Sequence, residues 1–402
     1  MTARNLLKAV CLTVISWSAC FFNIGVNAEE ADKGLAYGKL LVEPIFSAEL
    51  TYDDNVFRQQ TSPTSALLST LNSQLKLSVN NEMNRSSVGY QGSYVDVQQS
   101  PADNYMDHMV FGRLQHALLR NLSFVFSGAY QLAHEKRGET YIVDTVSNFD
   151  VPDAFVLKQI KANMVLGSEQ SQGRLQLEGE KRTKLFTTRL DVTGRRSHEL
   201  QVANLVLTRR ISPKTAFLLK GGYSQYDYTN EDSLLASRDS ADLTVGLGAQ
   251  WEFTRLTKGE FVFGLHNKNF TDASKPQVTG KEWLLAMTWS PLEDLEFELT
   301  SGGTLEESTT TGNYTDSKRV SIGAQYSFFD KLLLKPQAWV NSAEYPPELG
   351  RDIALGGEFA AVVNTAKWVQ IGAALRYLRQ YSFRDGFSYR EKMLIGRILI
   401  RP

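Results

Sequence analysis

The segment Ser240–Phe253 sets apolar and polar side chains in strict alternation. Every second residue from Ala241 to Phe253 is apolar, and the residues between them, such as Asp242 and Glu252, are polar or glycine. Because successive side chains of a strand point to opposite sides, this segment predicts a β-strand with one apolar and one polar face. In a soluble sandwich the apolar face packs on a protein core, whereas in a membrane barrel it contacts lipid.

The same alternation recurs along the chain. Each repeat has roughly the 9–11 residues that a tilted strand needs to cross a bilayer. Three repeats are irregular: the phase shift at Tyr94-Val95 predicts a β-bulge, Asn204 leaves two candidate faces, and a repeat with Pro336 places Trp339 on the otherwise polar side. We count about 18 repeats, centred near residues 46, 75, 92, 112, 127, 161, 177, 203, 220, 247, 263, 286, 299, 324, 337, 358, 373 and 395.

The links between these repeats alternate in length. Long polar links such as 53–65 and 134–154 follow the odd repeats, and short links such as 120–121 and 364–367 follow the even ones. Outer-membrane barrels have this arrangement, with short periplasmic turns and long outer loops. The chain therefore predicts an all-β, single-domain transmembrane barrel, antiparallel and up-and-down, with both termini on the periplasmic side. The 134–154 link, the longest, is the predicted plug or constriction.

Aromatic residues fall at both ends of the predicted strands. Amphipathic rings prefer the headgroup level of a membrane, so two such belts favour the lipid-facing interpretation over a soluble core. We accordingly expect Trp251 and Phe253 to face lipid. The belt near the long links contains Tyr52, Tyr94, Tyr130, Tyr223 and Trp283, and the belt near the short links contains Phe124, Phe217, Phe253, Phe261, Trp289, Phe297, Phe328 and Trp368.

The first 28 residues have the pattern of a secretory signal peptide. Arg4 and Lys8 precede a largely apolar run that ends in Val26-Asn27-Ala28, a small-residue cleavage site. An uncleaved membrane anchor is the alternative, although the run falls short of the ~20 residues that a spanning helix needs. The predicted organisation is a signal peptide at 1–28, a short periplasmic segment at 29–38 and the barrel at 39–402.

The composition excludes several other classes of protein. The chain is 42% hydrophobic and 22% charged with a formal net charge of −1, which gives no reason to expect nucleic acid as a partner. Both cysteines, Cys11 and Cys20, lie in the leader, so we expect a mature chain without disulfides or thiolate sites. The lipid bilayer is the partner that the pattern predicts.

If the apolar faces contact lipid, the polar faces line the interior. These residues mix both signs of charge, with neither the basic stripe of a phosphate pore nor a ring of one sign. Two interpretations stay open: a wall that hydrogen-bonds sugar hydroxyls, or a solvated lining with internal salt bridges and no solute preference. The charged residues predicted to line the lumen are Glu43, Glu49, Arg174, Glu178, Glu180, Arg182, Lys220, Glu252, Glu296, Glu298, Glu358 and Arg376.

The chain offers few residues for catalysis or metal binding. Asp53-Asp54-Asn55 could hold a cation or a sugar hydroxyl, but a turn stabilised by Asx side chains at a strand end is the simpler interpretation. The five histidines are scattered, and Ser197-His198 would point apart in a strand. We predict no catalytic residue, cofactor or metal.

Two strings resemble a known family. The first strand closes in Leu50-Thr-Tyr-Asp-Asp-Asn-Val-Phe57, and Asn148-Phe-Asp-Val-Pro-Asp-Ala-Phe155 precedes a later one. Together with the signal peptide and the barrel pattern, these resemble the putative beta-barrel porin type 2 family of outer-membrane barrels. The resemblance implies a place in a Gram-negative outer membrane and a role, with other components of a synthesis system, in export or assembly of an extracellular polysaccharide.

Three classes of function follow from these observations. The first is a passive conduit for polysaccharide, the second a general diffusion porin or small-solute transporter, and the third an outer-membrane enzyme or surface anchor. The loop alternation is common to trimeric porins and monomeric barrels, so it does not select an oligomeric state.

Overall fold

A computed structural model describes residues 34–81, 83–138, 151–168, 170–229, 237–254, 256–307, 314–329, 331–345 and 350–402. The predicted signal peptide at 1–28 and most of the 134–154 loop lie outside these residues. Within them, eighteen long antiparallel strands follow one short strand. The strands are β1 Leu35–Tyr37, β2 Leu40–Asp53, β3 Ala66–Asn80, β4 Asn84–Val97, β5 Tyr105–Leu119, β6 Leu122–Glu135, β7 Asp153–Leu166, β8 Gly173–Phe186, β9 His198–Ser212, β10 Thr215–Tyr228, β11 Ser240–Thr254, β12 Thr257–Phe270, β13 Val278–Leu292, β14 Leu295–Glu306, β15 Thr315–Phe328, β16 Leu332–Glu344, β17 Arg351–Ala366, β18 Val369–Tyr381 and β19 Tyr389–Ile400.

The long strands form a closed barrel. Each strand from β2 to β19 pairs with its neighbours in the chain, and β19 pairs with β2 from Met393↔Asp53 to Ile400↔Phe46. The short strand β1 turns back through Gly38 (φ 63°) and pairs with Leu40–Val42, the part of β2 that β19 does not reach. The edge of β2 is therefore covered along most of its length, as a barrel in lipid requires. The segment 29–38, predicted as a periplasmic extension, thus contributes this short strand.

Strand number and order agree with the sequence prediction. All eighteen predicted centres lie inside the strands from β2 to β19, and short turns such as 120–121 alternate with long loops such as 54–65. We call these two ends of the barrel the short-turn end and the long-loop end. The helical segments among the described residues are brief, namely α1 Leu190–Thr193 and two 3-10 turns at Pro101–Asp103 and Gly194–Arg196. None of the helices in the described part of the chain has the length and apolar character to cross a membrane.

The apolar faces of the strands point outward. Leu247 on β11 is 67% exposed, whereas Asp242 on the opposite face is 6% exposed. A broad band of exposed leucine, valine and phenylalanine is far larger than a soluble monomer shows, and it is what lipid requires. Exposed aromatic rings occupy both predicted belts, with Tyr52, Tyr94, Tyr130 and Tyr223 at one end and Phe217, Phe253, Phe261 and Trp368 at the other.

The β-bulge predicted at Tyr94-Val95 is wrong. The pairing of β4 with β3 and with β5 continues through both residues without a shift. Val95 instead belongs to an apolar cluster inside the barrel, with Ala66 and Leu68 of β3 and with Val97. The polarity of the inner face changes near the long-loop end while the backbone stays regular, and this change mimics a phase shift in the sequence.

Buried ion pairs join the long loops to the ends of other strands. Arg196, in the loop before β9, donates a hydrogen bond to Glu135 at the end of β6 at 2.6 Å. Lys268 on β12 is 1% exposed, donates to the hydroxyl of Ser240 at 2.8 Å, and contacts the carboxylate of Glu307 in the loop after β14. Breaking one partner of such a pair leaves an uncompensated buried charge, so these contacts hold the long-loop end in one arrangement.

A second set of loop contacts centres on Asp352 at the start of β17. Its carboxylate accepts hydrogen bonds from Ser382 (2.6 Å), from the Arg384 guanidinium (3.0 Å) and from the Tyr345 hydroxyl (3.0 Å). Burial raises the pKa of Tyr345 well above its usual range, and the adjacent Asp352 carboxylate raises that pKa further. The Tyr345 hydroxyl therefore stays a hydrogen-bond donor between two loops.

Candidate functional site: the inner wall of the barrel

Charged side chains inside the barrel pair across neighbouring strands. Glu358 on β17 stands directly opposite Arg376 on β18, with Nε to Oε2 at 2.6 Å. Glu49 on β2 and Arg397 on β19 form the same kind of pair across the closing strands, at 2.9 Å. Directly opposed charges stabilise one register, because a slip of one residue would turn every one of these side chains to the lipid face.

The wall formed by β7 and β8 repeats this arrangement around one carboxylate. Glu180 accepts hydrogen bonds from Gln159 at 2.7 Å and forms ion pairs with Lys161 at 2.9 Å and Arg182 at 2.6 Å. On the next wall, Lys220 pairs with Glu260 at 2.5 Å. Several acids of the interior thus pair with bases on the same wall.

All twelve residues predicted to line the lumen lie on the strand faces opposite the exposed apolar ones. Seven of them form ion pairs across or along the strands, namely Glu43, Glu49, Glu180, Arg182, Lys220, Glu358 and Arg376. Glu178 accepts a long hydrogen bond from Asn204 at 3.4 Å, which puts Asn204 on the inner face. Glu296 accepts one from Ser290 at 3.3 Å. Whether any of the twelve residues, including Arg174, Glu252 and Glu298, contacts a solute stays a prediction.

Several partners in these pairs were missed by the sequence analysis. Lys76, Lys161, Glu260 and Arg397 also face inward and carry the opposite charges. Their positions in the alternation were available from the sequence, but their pairing depends on strand register. Register joins residues far apart in the chain, so no local pattern gives it.

Trp339 lies on the inner face of β16. Its neighbour Val340 is 44% exposed to the outside, so the indole projects inward. Across the sheet it stands opposite Ser321 on β15 and Gly356 on β17. A Cβ atom on Gly356 would lie 2.1 Å from the indole Cε2, so the ring rests on the bare backbone there and only glycine leaves room for it.

Polar groups surround this indole. Gln337 and Asn341 lie two residues to either side of it on the same strand face, and the hydroxyls of Thr300 and Ser321 are hydrogen-bonded to each other at 2.6 Å beside it. The Oδ1 atom of Asn341 is buried without a hydrogen-bond partner among the described residues. One aromatic face ringed by amides and hydroxyls can hold a molecule that has both an apolar ring face and hydroxyl groups.

The Asp53-Asp54-Asn55 string forms the turn that the simpler interpretation predicts. The backbone N–H of Asn55 donates to the Asp53 carboxylate at 2.8 Å, and the Asp54 carboxylate accepts from the backbone N–H of Lys392 at 2.7 Å. The string therefore ties the first loop to the last strand. Across the described residues, no cluster of three or more histidine, cysteine, aspartate or glutamate side chains is arranged to hold a metal ion.

The sequence profile of the putative beta-barrel porin 2 family matches residues 31–398. The chain belongs to this family. Membership confirms the resemblance carried by the Leu50–Phe57 string and by the barrel pattern. The match covers nearly all of the chain, so this family member is a porin-like outer-membrane barrel throughout the matched region.

Solved outer-membrane barrels have a similar fold. The FrpB iron transporter from Neisseria meningitidis superposes with a TM-score of 0.54 at 10% identity, covering 90% of this chain, which spans only 66% of the FrpB chain. OccK1 of Pseudomonas aeruginosa superposes with a TM-score of 0.51 at 10% identity, covering 90% of this chain and 99% of its own. At such identities the likeness shows the fold alone. No curated protein sequence matches the chain.

Proposed function

We propose that this family member is an outer-membrane channel that takes part in exporting or assembling an extracellular polysaccharide. The observation that carries the proposal is Trp339, which presents an indole inside the barrel with Gln337, Asn341 and Ser321 around it. Pyranose rings combine an apolar face with a rim of hydroxyls, so they fit an aromatic surface bordered by amides and hydroxyls. The proposal places the mature chain, after removal of residues 1–28, in a Gram-negative outer membrane.

The charge pattern of the wall supports a neutral or weakly charged cargo. The charges of ion pairs such as Glu358–Arg376 and Glu49–Arg397 offset one another within the wall, which weakens their hold on an ion. The remaining lone pairs of these carboxylates still accept hydrogen bonds from hydroxyls, and the remaining N–H groups still donate to them. A wall of this kind offers many weak contacts, and a polymer can pass only if no single site holds it tightly.

In this proposal the barrel is a passive route. Synthesis and driving force come from other components of the system, and the barrel contributes a closed wall, a path through lipid and weak sugar contacts. It uses no catalytic residue, metal or cofactor.

A planar-bilayer experiment tests the sugar contact. The purified mature chain would be reconstituted, and the block of its ionic current by a neutral oligosaccharide such as maltohexaose measured for wild type and for Trp339→Ala. Losing about 100 Å² of apolar contact at about 25 cal/mol per Å² costs about 2.5 kcal/mol, so block should need more than tenfold more sugar.

The matched control is Trp251→Ala. Trp251 also rests on a glycine, Gly259, at a directly opposed position, but on the lipid face of the barrel. The Trp251→Ala variant should leave the sugar block of the current unchanged. Equal block in wild type and Trp339→Ala, or an equal loss in both variants, would reject a role for the interior indole.

A cellular experiment tests the polysaccharide role itself. Deletion of the gene should abolish surface polysaccharide or trap it in the periplasm, and the Trp339→Ala chain should restore export only in part. Normal surface polysaccharide in the deletion strain, with steady conductance and no sugar block, would identify a general diffusion porin instead. Release of reducing ends from added polysaccharide would identify an enzyme.

A further inference from the structure

Three cations cluster on the outer ends of β18 and β19. Arg379 on β18 stands directly opposite Arg390 on β19, and Tyr377 stands opposite Lys392. These positions share the outward face with Leu375 and Leu394, which stand opposite each other and are 60% and 54% exposed. All three cations therefore project toward the membrane rather than into the lumen.

These three cations differ from outward-facing lysines elsewhere on the barrel. Lys181 on β8 pairs with Glu199 at 2.6 Å, and Lys318 on β15 pairs with Glu344 at 3.2 Å. Among the described residues, no carboxylate lies within ion-pair distance of the side chains of Arg379, Arg390 and Lys392.

The contacts that these residues do make are not side-chain ion pairs. The guanidinium of Arg379 lies 4.6 Å from the centre of the Tyr381 ring, and the nearby Asp54 carboxylate accepts from the backbone of Lys392. Like charges directly opposite each other on a sheet destabilise the pairing. The arrangement is thus poised for an anion supplied from outside the chain.

The height of this cluster in the membrane indicates which kind of anion it would bind. Tyr52, Tyr377 and Tyr381 surround it and are 49%, 40% and 44% exposed, which marks the headgroup level at the long-loop end. Phosphate groups of membrane lipids lie at that level. Arginine is suited to them because its planar fork donates two hydrogen bonds to one phosphate.

A row of small residues, which we call the trough, lies below the cluster. Ala361, Ala373 and Gly396 stand side by side on β17, β18 and β19, all on the outward face. Ala373 lies six residues below Arg379, which is ~20 Å at ~3.4 Å per residue. That distance is comparable to the ~15 Å depth of one leaflet's hydrocarbon.

We propose that this face of β17–β19 is a binding site for a phosphorylated membrane lipid. Arg379, Arg390 and Lys392 hold its phosphates, and an acyl chain covers Ala373 and Gly396. The site lies outside the lumen, so it is independent of the proposed transport role. Bound lipid would neutralise the repulsion between β18 and β19, beside the seam where β19 pairs with β2.

The test compares a triple variant with a double control variant, both in purified form. Detergent-solubilised wild type would be titrated with lipid A, which carries two phosphates, and binding followed by native mass spectrometry. The variant Arg379→Gln/Arg390→Gln/Lys392→Gln should bind about a hundredfold more weakly, at about fivefold per basic residue. The control Lys181→Gln/Lys318→Gln removes outward cations that have carboxylate partners and should bind as wild type does.

Two further arms make the outcome decisive. Ala373→Phe fills the trough without touching any charge, and it should weaken long-chain lipid A while leaving a short-chain phosphatidic acid unaffected. Unchanged lipid A binding in the triple variant would overturn the proposal, as would an equal loss in the control. Displacement of lipid A by millimolar inorganic phosphate would also overturn it, because the site would then recognise a free anion.

Discussion

Asn55 offers the sharpest test of how the barrel is closed. Its side chain is 2% exposed and joins the first long loop to the last strand. The amide nitrogen donates to the carbonyl of Gln59 at 2.9 Å and to that of Arg390 at 2.8 Å, and the amide oxygen accepts from the Gln59 backbone at 2.8 Å. Asn55→Ala removes all three bonds and leaves the carbonyls of Gln59 and Arg390 without that donor.

The expected loss follows from these contacts. At about 1 kcal/mol net per hydrogen bond, Asn55→Ala should lower the free energy of unfolding by about 3 kcal/mol. Asn55→Asp keeps the acceptor for the Gln59 N–H but directs a carboxylate oxygen at two carbonyls. It should therefore destabilise the barrel at least as much as alanine does.

Urea unfolding of the barrel in lipid vesicles, followed by tryptophan fluorescence, measures this loss. The control is Asn269→Ala, because Asn269 is exposed and its amide makes one bond, to Asn267 at 2.8 Å. The control should change stability by less than about 0.5 kcal/mol. If Asn55→Ala stays within that same margin with an unchanged denaturant slope, or if Asn55→Asp matches wild type, the loop does not secure the closing strands and the reasoning fails.

Three further perturbations test the wall and the loops. Gly356→Ala should displace the indole of the β16 tryptophan and abolish most of the oligosaccharide block in planar bilayers while the barrel still folds, and full block would show that the ring position is irrelevant. Glu358→Gln should lower stability in urea by about 1–2 kcal/mol by leaving Arg376 without its partner, and the exchanged pair Glu358→Arg/Arg376→Glu should recover most of it; no recovery would argue against a direct pair. Burial and Asp352 raise the pKa of Tyr345, so the unfolded chain loses the Tyr345 proton at a lower pH than the folded chain does. Stability should therefore fall as pH rises above about 10, and Tyr345→Phe should remove that part of the fall. An identical pH profile in the variant would contradict this prediction.

The sequence was informative where the physical constraint is local. The two faces of Ser240–Phe253 can be read from the sequence because lipid requires an apolar side chain at every second position of a strand. This requirement acts on each strand separately. Strand number, loop alternation and the twelve inward-facing charges therefore follow from the linear pattern. The same rule predicts the wrong geometry at Tyr94-Val95, where the inner face becomes apolar and the alternation loses its contrast.

Trp339 shows a second limit of the alternation rule. The alternation places the ring among polar residues, where it looks like an irregular strand. Only the pairing of β16 with β17 brings it onto Gly356, and that pairing turns an irregularity into a candidate sugar contact.

The tertiary structure decides which distant residues meet. Asn55 and Arg390 are 335 positions apart, and Glu49 and Arg397 are 348 apart, yet each pair is in hydrogen-bond contact because the first and last strands close one sheet. Alternation repeats every two residues and can be read from a short window of sequence. Register is a property of two strands at once, set by closure of the whole ring, so the contacts that secure the barrel and shape its inner wall emerge only when the chain is folded.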